Sequence, residues 1–241
     1  MRNVQRFLLK LKIQTETALF IGGPGRTLPL VDRSIEVDEF GFPYIPASSF
    51  RGRVRAHLER LLKTLGEPVC APPRPESMCP HNEEVISSGQ AVCRVCRIFG
   101  NAWIPSSVVF SNFKLSELPN KSFAGTLGKA LWLRPGVGID RYLGTAEEQK
   151  LFTLECVPSQ LDRQILAFQG VIEGWLSKED LGWLIGAIRM VLHLGGHKAR
   201  GLGRITVTLE DLMFWDEQKK TWNSSPWQKI LEEALQNVRQ D

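Results

Sequence analysis

No stretch of this chain approaches the roughly 20 apolar residues that a membrane-spanning helix requires. The opening residues, MRNVQRFLLKLKI, hold an apolar run, but Lys10 and Lys12 break it, which makes a poor signal peptide. A large excess of one charge is missing too: 30 basic and 26 acidic residues leave a formal net charge of +4. Bulk basicity therefore cannot argue for a nucleic-acid partner; only a local cluster of cations can. Cysteine is sparse and odd in number, five residues in 241, which fits poorly with a secreted disulfide framework. No short-period repeat is visible. These absences lead to the expectation of a soluble, cytoplasmic protein with no membrane partner. At 43% hydrophobic residues, the chain can bury the core of one large domain carrying substantial insertions.

What is present alternates between strand and helix patterns. In RFLLKLKIQ, Leu9, Leu11 and Ile13 alternate with Lys10, Lys12 and Gln14, the period of a strand with one buried face. A long glycine- and proline-bearing loop follows, FIGGPGRTLPLVDRSIEVDEFGFPYIP, longer than a compact domain usually tolerates without function. Phe50, Val54, Leu58, Leu61, Leu62 and Leu65 then fall on one helical face, with Ser48 or Ser49 as its cap. Residues 67–96 lose that period and gather prolines and cysteines, an insertion. SVVFSNFKL, at 107–115, reads as a strand, and residues 120–150 form a second, glycine-rich insertion. LFTLECV and ILAFQGVIE have strand composition. Ser177 to Asp180 supply a capping box before an apolar helix from Leu181 to Leu194. ITVTLEDL alternates again, and SPWQKILEEALQNVRQ predicts a terminal helix. The order strand, helix, strand, strand, helix, strand is that of a split βαβ pair. The expected fold class is α+β, a ferredoxin-like (RRM-like) core in one domain over 1–241, with insertions at about 67–96 and 120–150.

Two clusters carry chemistry. LGGHKARGLGRI, from Leu194 to Ile205, sets Gly195, Gly196, Gly201 and Gly203 around His197, Lys198 and Arg200. Bare backbone N–H groups among cations form a cradle for an anion. A P-loop is excluded, since no GKS or GKT follows and the order is helix, loop, strand. A capped turn with solvated charges is the plain alternative. The second cluster is Cys70-x8-Cys79-x13-Cys93-x2-Cys96, whose final CxxC has the knuckle spacing of tetrahedral zinc. His81 stands two residues after Cys79 as an alternative ligand. Four thiolates close the coordination sphere, so this zinc holds the insertion in shape and offers no open position for catalysis.

LGGHKARGLGRI resembles the glycine-rich loop of the RAMP superfamily of CRISPR RNA-binding proteins. Four further stretches resemble one branch of it, the repeated backbone subunit of type III CRISPR effector complexes. These are LFIGGPGRTLPLVD after strand 1, PYIPASSFRGRVRAHLE at the start of helix 1, CRIFGN, and GIDRYLGTAEEQKLF as its protruding thumb. They occur in the family's order from about residue 7 to 210. Pro46-Ala47-Ser48-Ser49 departs from the usual proline-glycine-serine-serine. Several members of the family carry a comparable zinc-bearing insertion.

The resemblance implies a protein that polymerises along a CRISPR guide RNA. Its partners would be target RNA, copies of itself or homologous RAMP subunits, and the large and small subunits of the complex. Phosphate contacts are expected from Ser48, Ser49, Arg51 and Arg55 at the start of helix 1, with Arg53 pointing elsewhere. Further RNA contacts are expected from Gly196, His197, Lys198, Arg200 and Gly201. Ile139, Arg141 and Tyr142 would form the thumb tip that wedges between nucleotides; an ordinary hairpin with Tyr142 packed on the body is the alternative. The family's RNA-cleaving aspartate aligns with Asp32, for which the resemblance implies transesterification assisted by Mg²⁺ or another divalent cation, with Arg33 adjacent. Aspartates in long loops also cap turns. Three other readings stand beside this one: a non-cleaving structural subunit, a metal-independent guide-precursor endonuclease using His57, and a zinc-stabilised RNA-binding module unrelated to CRISPR. His193, at the helix end, reads as a core or cap residue.

Overall fold

The computed structural model describes residues 3–23, 31–116, 131–161 and 163–238. The expected loop residues 24–30 and the first part of the expected thumb insertion, 120–130, lie outside them.

Strand β1 (Val4–Thr15) realises the alternation read from its sequence: Phe7, Leu9, Leu11 and Ile13 are fully buried while the residues between them face outward. It pairs antiparallel on one side with β8 (Ala167–Ser177) and on the other with β9 (Ile205–Asp216). The short strand β10 (Thr221–Ser224) extends the β9 edge, and β2 (Val108–Phe110) and β3 (Lys114–Leu115) both pair with β8. The order β10-β9-β1-β8-β2 is the sheet of a ferredoxin-like split βαβ fold with one added strand. The expected strand at 107–115 is thus two short pieces: between them the Ser111 N–H still donates to Val171 O, but the Val171 N–H is accepted by the Ser111 hydroxyl and not by a backbone carbonyl.

Two helices cover the inner face. Helix α1 (Ala47–Thr64) buries Phe50, Val54, Leu58 and Leu62, as its periodicity predicts, with Leu61 partly covered and Leu65 exposed. Neither Ser48 nor Ser49 caps it. Both lie inside the first turn, and Asn112 Oδ1 accepts the Ala47 N–H at 2.9 Å instead. The second core helix, α4 (Lys178–Arg189), is capped by Ser177 Oγ, which accepts from the Asp180 N–H at 3.1 Å. It stops short of the expected Leu194: Met190 is its C-cap, and the chain beyond leads to His193, which is bridged to Arg204. The terminal helix α5 (Trp227–Val238) packs on α4 at Gly182, where a Cβ would meet Ala234 Cβ at 2.4 Å. Beneath α1, Phe50 meets Phe113 edge-on at 4.8 Å and Phe110 at a tilt at 6.2 Å, and Phe110 stacks on Phe99 at 6.1 Å. Truncating Phe50 to alanine in such a core costs about 3–5 kcal/mol.

Three excursions leave this core. The loop after β1 folds back so that residues 31–35 run beside the thumb. The insertion after α1 holds two short helices, α2 (Glu83–Ser87) and α3 (Arg94–Phe99). The third is a β-hairpin of β4 (Trp132–Ile139) and β5 (Ala146–Cys156), so LFTLECV belongs to the thumb and not to the main sheet. A minor hairpin, β6 (Gln160–Leu161) with β7 (Gln164–Ile165), precedes β8.

Candidate nucleic-acid interface and metal centre

The glycine loop is built by close packing on the segment after β1. Gly195 and Gly203 both have positive φ; a Cβ at Gly195 would sit 2.1 Å from Phe20 O, and one at Gly203 2.0 Å from Leu194 O. The Gly196 N–H donates to Phe20 O and the Gly203 N–H to Ala18 O. The backbone brought close to these glycines is the protein's own. What they achieve is projection: His197, in the left-handed region at φ 55°, starts a 3₁₀ turn over Lys198–Arg200 that stands off the body. Gly201, at φ 84°, ends that turn in open space.

Cationic clefts lie on both sides of the turn. On one side, Lys198 faces α1 across a trough lined by Arg53, His57, Arg60, Met190, Leu192 and His193. Burial, then the charges of Arg60, Arg53 and Lys198, hold the His57 imidazole below its ordinary pKa. Burial, then Arg53 and Arg60, likewise depress the Lys198 ammonium. On the other side, His197 and Arg200 face the thumb base in a cleft with Arg134, Pro135, Gly136, Phe152, Leu154 and Leu202. Arg134 Nη2 donates to Arg200 O at 3.0 Å, tying hairpin to loop. The His197 imidazole is also held low, by burial first and then by Arg200, Arg33 and Arg134. Helix α1 and the glycine loop therefore border the same trough through Arg53, His57, Arg60 and Lys198, and the second cleft lies on the thumb side of the turn.

Asp32 sits at the thumb base. Its N–H donates to Thr153 O at 3.0 Å, and its Oδ2 accepts the Thr153 N–H at 2.7 Å. The buried Glu155 of β5 accepts the Ile35 N–H, so residues 32–35 are strapped along the strand and Asp32 is exposed beside the thumb. Apart from the four cysteines, no cluster of three or more His, Cys, Asp or Glu side chains suited to a metal occurs among the described residues. A single carboxylate with one oxygen engaged by a backbone N–H does not fit a protein-held Mg²⁺ site, which takes several oxygen ligands.

The cysteine insertion has the opposite character. The Sγ atoms of Cys70, Cys79, Cys93 and Cys96 are buried and lie within 4.8 Å of one another. Cys70 and Cys96 Sγ are 3.2 Å apart, and Cys93 and Cys70 Sγ 3.7 Å. Four thiolates around zinc at Zn–S of about 2.3 Å lie roughly 3.8 Å apart, so the donor set fits. Hydrogen bonding from the Cys96 thiol pushes the Cys93 pKa down, and burial pushes Cys79 up. His81 is not in the cluster; its ring packs edge-on against Trp103 at 5.3 Å. Asn101 braces the site, donating to Cys79 O at 2.8 Å and Cys96 Sγ at 3.3 Å. In the motif CRIFGN, Phe99 is a core residue. Gly100 takes φ 71° where a Cβ would meet Ile104 O at 2.6 Å.

Residues 12–206 match the sequence model of the RAMP superfamily. The chain belongs to that superfamily. No curated protein matches it. Among solved structures it is similar to a chain of the cryo-EM structure of type III-B Cmr-beta in the apo state. That likeness has 14% identity, covers 84% of this chain and 97% of the other, and reaches a TM-score of 0.58. It is a likeness of fold.

Within this RAMP fold, the residues read from sequence separate into groups. Lys198 lines the trough, while His197 and Arg200 line the thumb cleft. Gly196 and Gly201 shape the loop between them. Ile139, Arg141 and Tyr142 stand at the hairpin tip, where Asp140 Oδ1 accepts the Tyr142 and Leu143 N–H groups. Tyr142 is 95% exposed, so it does not pack on the body. Arg51 and Arg55 turn away from the trough: Arg51 Nη2 donates to Phe99 O, and Arg55 Nη1 to Gly100 O at 3.1 Å while its Nε meets Glu59. Burial and then Arg55 lower the Arg51 pKa. The arginine expected to point elsewhere, Arg53, is the one in the trough, joined by Arg60. Ridge geometry explains this, since residues 53, 57 and 60 share one helical face and 51 and 55 another. His193 is exposed in the trough, not a core residue, because α4 ends before it. Arg134 and Phe152 escaped sequence reading; their signal was the strand alternation of the hairpin, which places residues 134 and 136 on the loop side. No helix among the described residues is long and apolar enough to cross a membrane.

Proposed function

We propose that this chain is a backbone subunit of a type III CRISPR interference complex, gripping the phosphate backbone of a guide RNA. The observation that carries this reading is the two-sided cationic surface around the 3₁₀ turn, with Arg53, Arg60 and Lys198 on one side and Arg134, His197 and Arg200 on the other. Cations on both sides of a projecting turn suit a strand that passes over it, and contacts to phosphate carry no sequence preference. Ser49, one turn before Arg53 in the first turn of α1, extends the same wall, whereas Ser48 falls on the face of Arg51 and Arg55. The hairpin tip, with Ile139, Arg141 and Tyr142 exposed, serves as the wedge between nucleotides of the guide–target duplex. The partners that go with this reading are target RNA, neighbouring RAMP subunits, and large and small subunits of the complex; what supports it is membership of the RAMP superfamily, with a fold like that of a chain of type III-B Cmr-beta. The four cysteines hold a structural zinc.

Target cleavage is assigned to Asp32, where the thumb leaves the body. The neighbouring 2′-OH attacks phosphorus and gives its proton to the carboxylate; the bond to the 5′-oxygen breaks, leaving a 2′,3′-cyclic phosphate, and the departing 5′-oxygen takes a proton from water to become a hydroxyl. The assembly reading is tested by the nucleic acid that copurifies with the chain expressed beside a CRISPR array. Recovery of repeat-tagged RNA protected at regular spacing is expected; untagged RNA of random length would refute it and favour a module unrelated to CRISPR.

A further inference from the structure

We propose that helix α3 is a strut that fixes the width of the RNA trough, with Arg51, Arg55, Arg97 and Asp180 as positioning residues. This rests on the RNA-binding reading above. The trough has two walls, α1 and the segment leaving α4, and both core helices lean on α3. From α1, Arg51 and Arg55 donate to the carbonyls of Phe99 and Gly100, the C-terminal end of α3. At the start of α4, the Asp180 carboxylate, 2% exposed, accepts from Arg97 Nε at 2.7 Å and Arg94 Nη1 at 3.1 Å. Arg94 also meets Glu67, just past α1, and Glu179, and lies over the Trp183 ring.

The fourth anchor is the cysteine cluster, since Cys93 is the N-cap of α3 and Cys96 lies in its first turn. A helix of six residues has no stability of its own, so these contacts dictate where it sits. Bidentate arginine–carboxylate bonds and paired arginine–carbonyl bonds are directional, and a strut made of them transmits position. Arg51 and Arg55 therefore share a helix with the trough cations yet act on RNA through α3. The CRIFGN motif and the arginines of helix 1, far apart in sequence, are two halves of one joint.

The test turns on sign. Asp180→Asn and Glu67→Gln each remove a negative charge, so by Coulomb's law alone a polyanion binds the variants at least as tightly as the parent. The strut requires the reverse. With the full chain and a fluorescein-labelled oligouridylate, anisotropy should show Asp180→Asn binding about three- to tenfold more weakly. The far-UV circular dichroism of the sheet should be unchanged, and amide exchange should quicken in α3 and the first turn of α1. A folded Asp180→Asn that binds as tightly as the parent, or tighter, overturns the strut and leaves the RNA reading intact. A parent that binds no RNA overturns both. Should Asp180→Asn not fold, Glu67→Gln, at a more exposed pair, decides by the same sign.

Discussion

Arg53 of α1 and Lys198 of the 3₁₀ turn line one trough, and the proximity of their like charges, added to burial, depresses the Lys198 pKa. Like charges held together in a cleft are relieved by an anion. For a single-stranded RNA, each phosphate neutralised contributes about 0.7 to the slope of log K against log salt. Arg53→Ala, Arg60→Ala and Lys198→Ala should each flatten that slope by about 0.7 and weaken binding equally for all sequences. Arg204, paired with Glu16 at 2.7 Å outside the trough, is the control and should leave the slope unchanged. Anisotropy titrations across a salt series measure both. Unaltered slopes in all three trough variants would remove the trough from RNA binding.

His57 gives the trough a pH signature. Burial and the neighbouring cations hold its pKa below the usual 6.5 in the free protein. As pH falls through 6.5 the unfolded chain takes up this proton before the native one does, so the free protein loses stability on acidification. Bound phosphate favours the imidazolium and raises the same pKa. RNA affinity should therefore increase between about pH 7.5 and 5.5, and His57→Gln should flatten that dependence. The reading of His57 as a guide-processing residue makes a different demand: metal-free cutting of precursor RNA that His57→Ala abolishes. Titration of the His57 ring by NMR, with and without RNA, follows the proton directly.

The sheet was legible because its signals are local and periodic. The alternation in β1, the apolar face of α1 and the Ser177 cap each specify an element from a few adjacent residues. The cysteine cluster was equally readable, as ligand spacing is a covalent constraint. What sequence did not yield was the direction of long side chains. Arg51, Arg53 and Arg55 lie within five residues of one another, and which face meets the glycine loop depends on how α3 packs, a long-range outcome. The glycines were misleading for the same reason: Gly195 and Gly203 accommodate Phe20 O and Leu194 O, contacts invisible in a linear chain. The end of α4 before His193 has no glycine or proline to mark it, since Gly195 comes later.

Removing one thiolate should empty the cysteine site. Cys93→Ser is expected to lose bound zinc, measured by a colorimetric chelator on the denatured protein, and to lower Tm by more than about 5 °C. His81→Ala should keep full zinc occupancy, because that ring faces Trp103 and lies outside the cluster. Loss of metal from the His81 variant would reverse the ligand assignment.

The glycine loop makes a graded prediction. Gly203→Ala and Gly195→Ala put a Cβ about 2 Å from a carbonyl oxygen that hydrogen-bonded backbone holds in place, at positive φ. Each should destabilise the fold by more than about 2 kcal/mol. Gly201→Ala meets open space and bears only the cost of its φ of 84°, about 1 kcal/mol. Chemical denaturation of the three variants ranks them. A Gly201 variant as unstable as the other two would mean that the turn itself, and not its packing on Phe20 and Leu194, holds the loop.

Asp32 is where structural and chemical roles must be separated. Its Oδ2 accepts the Thr153 N–H, so Asp32→Ala would release the loop from the thumb as well as delete the acid. Asp32→Asn keeps an oxygen acceptor of the same shape and removes only the charge and the proton affinity. Target binding should stay within about twofold in the asparagine variant, and cleavage at this subunit's position should fall by about 10² or more. End-labelled target RNA resolved on a gel, run with and without added divalent cation, gives the cut sites and their metal requirement together. Full cutting by Asp32→Asn would make Asp32 a loop anchor and the chain a structural subunit. Loss of cutting in the alanine variant alone would say the same, because only the anchor separates the two substitutions.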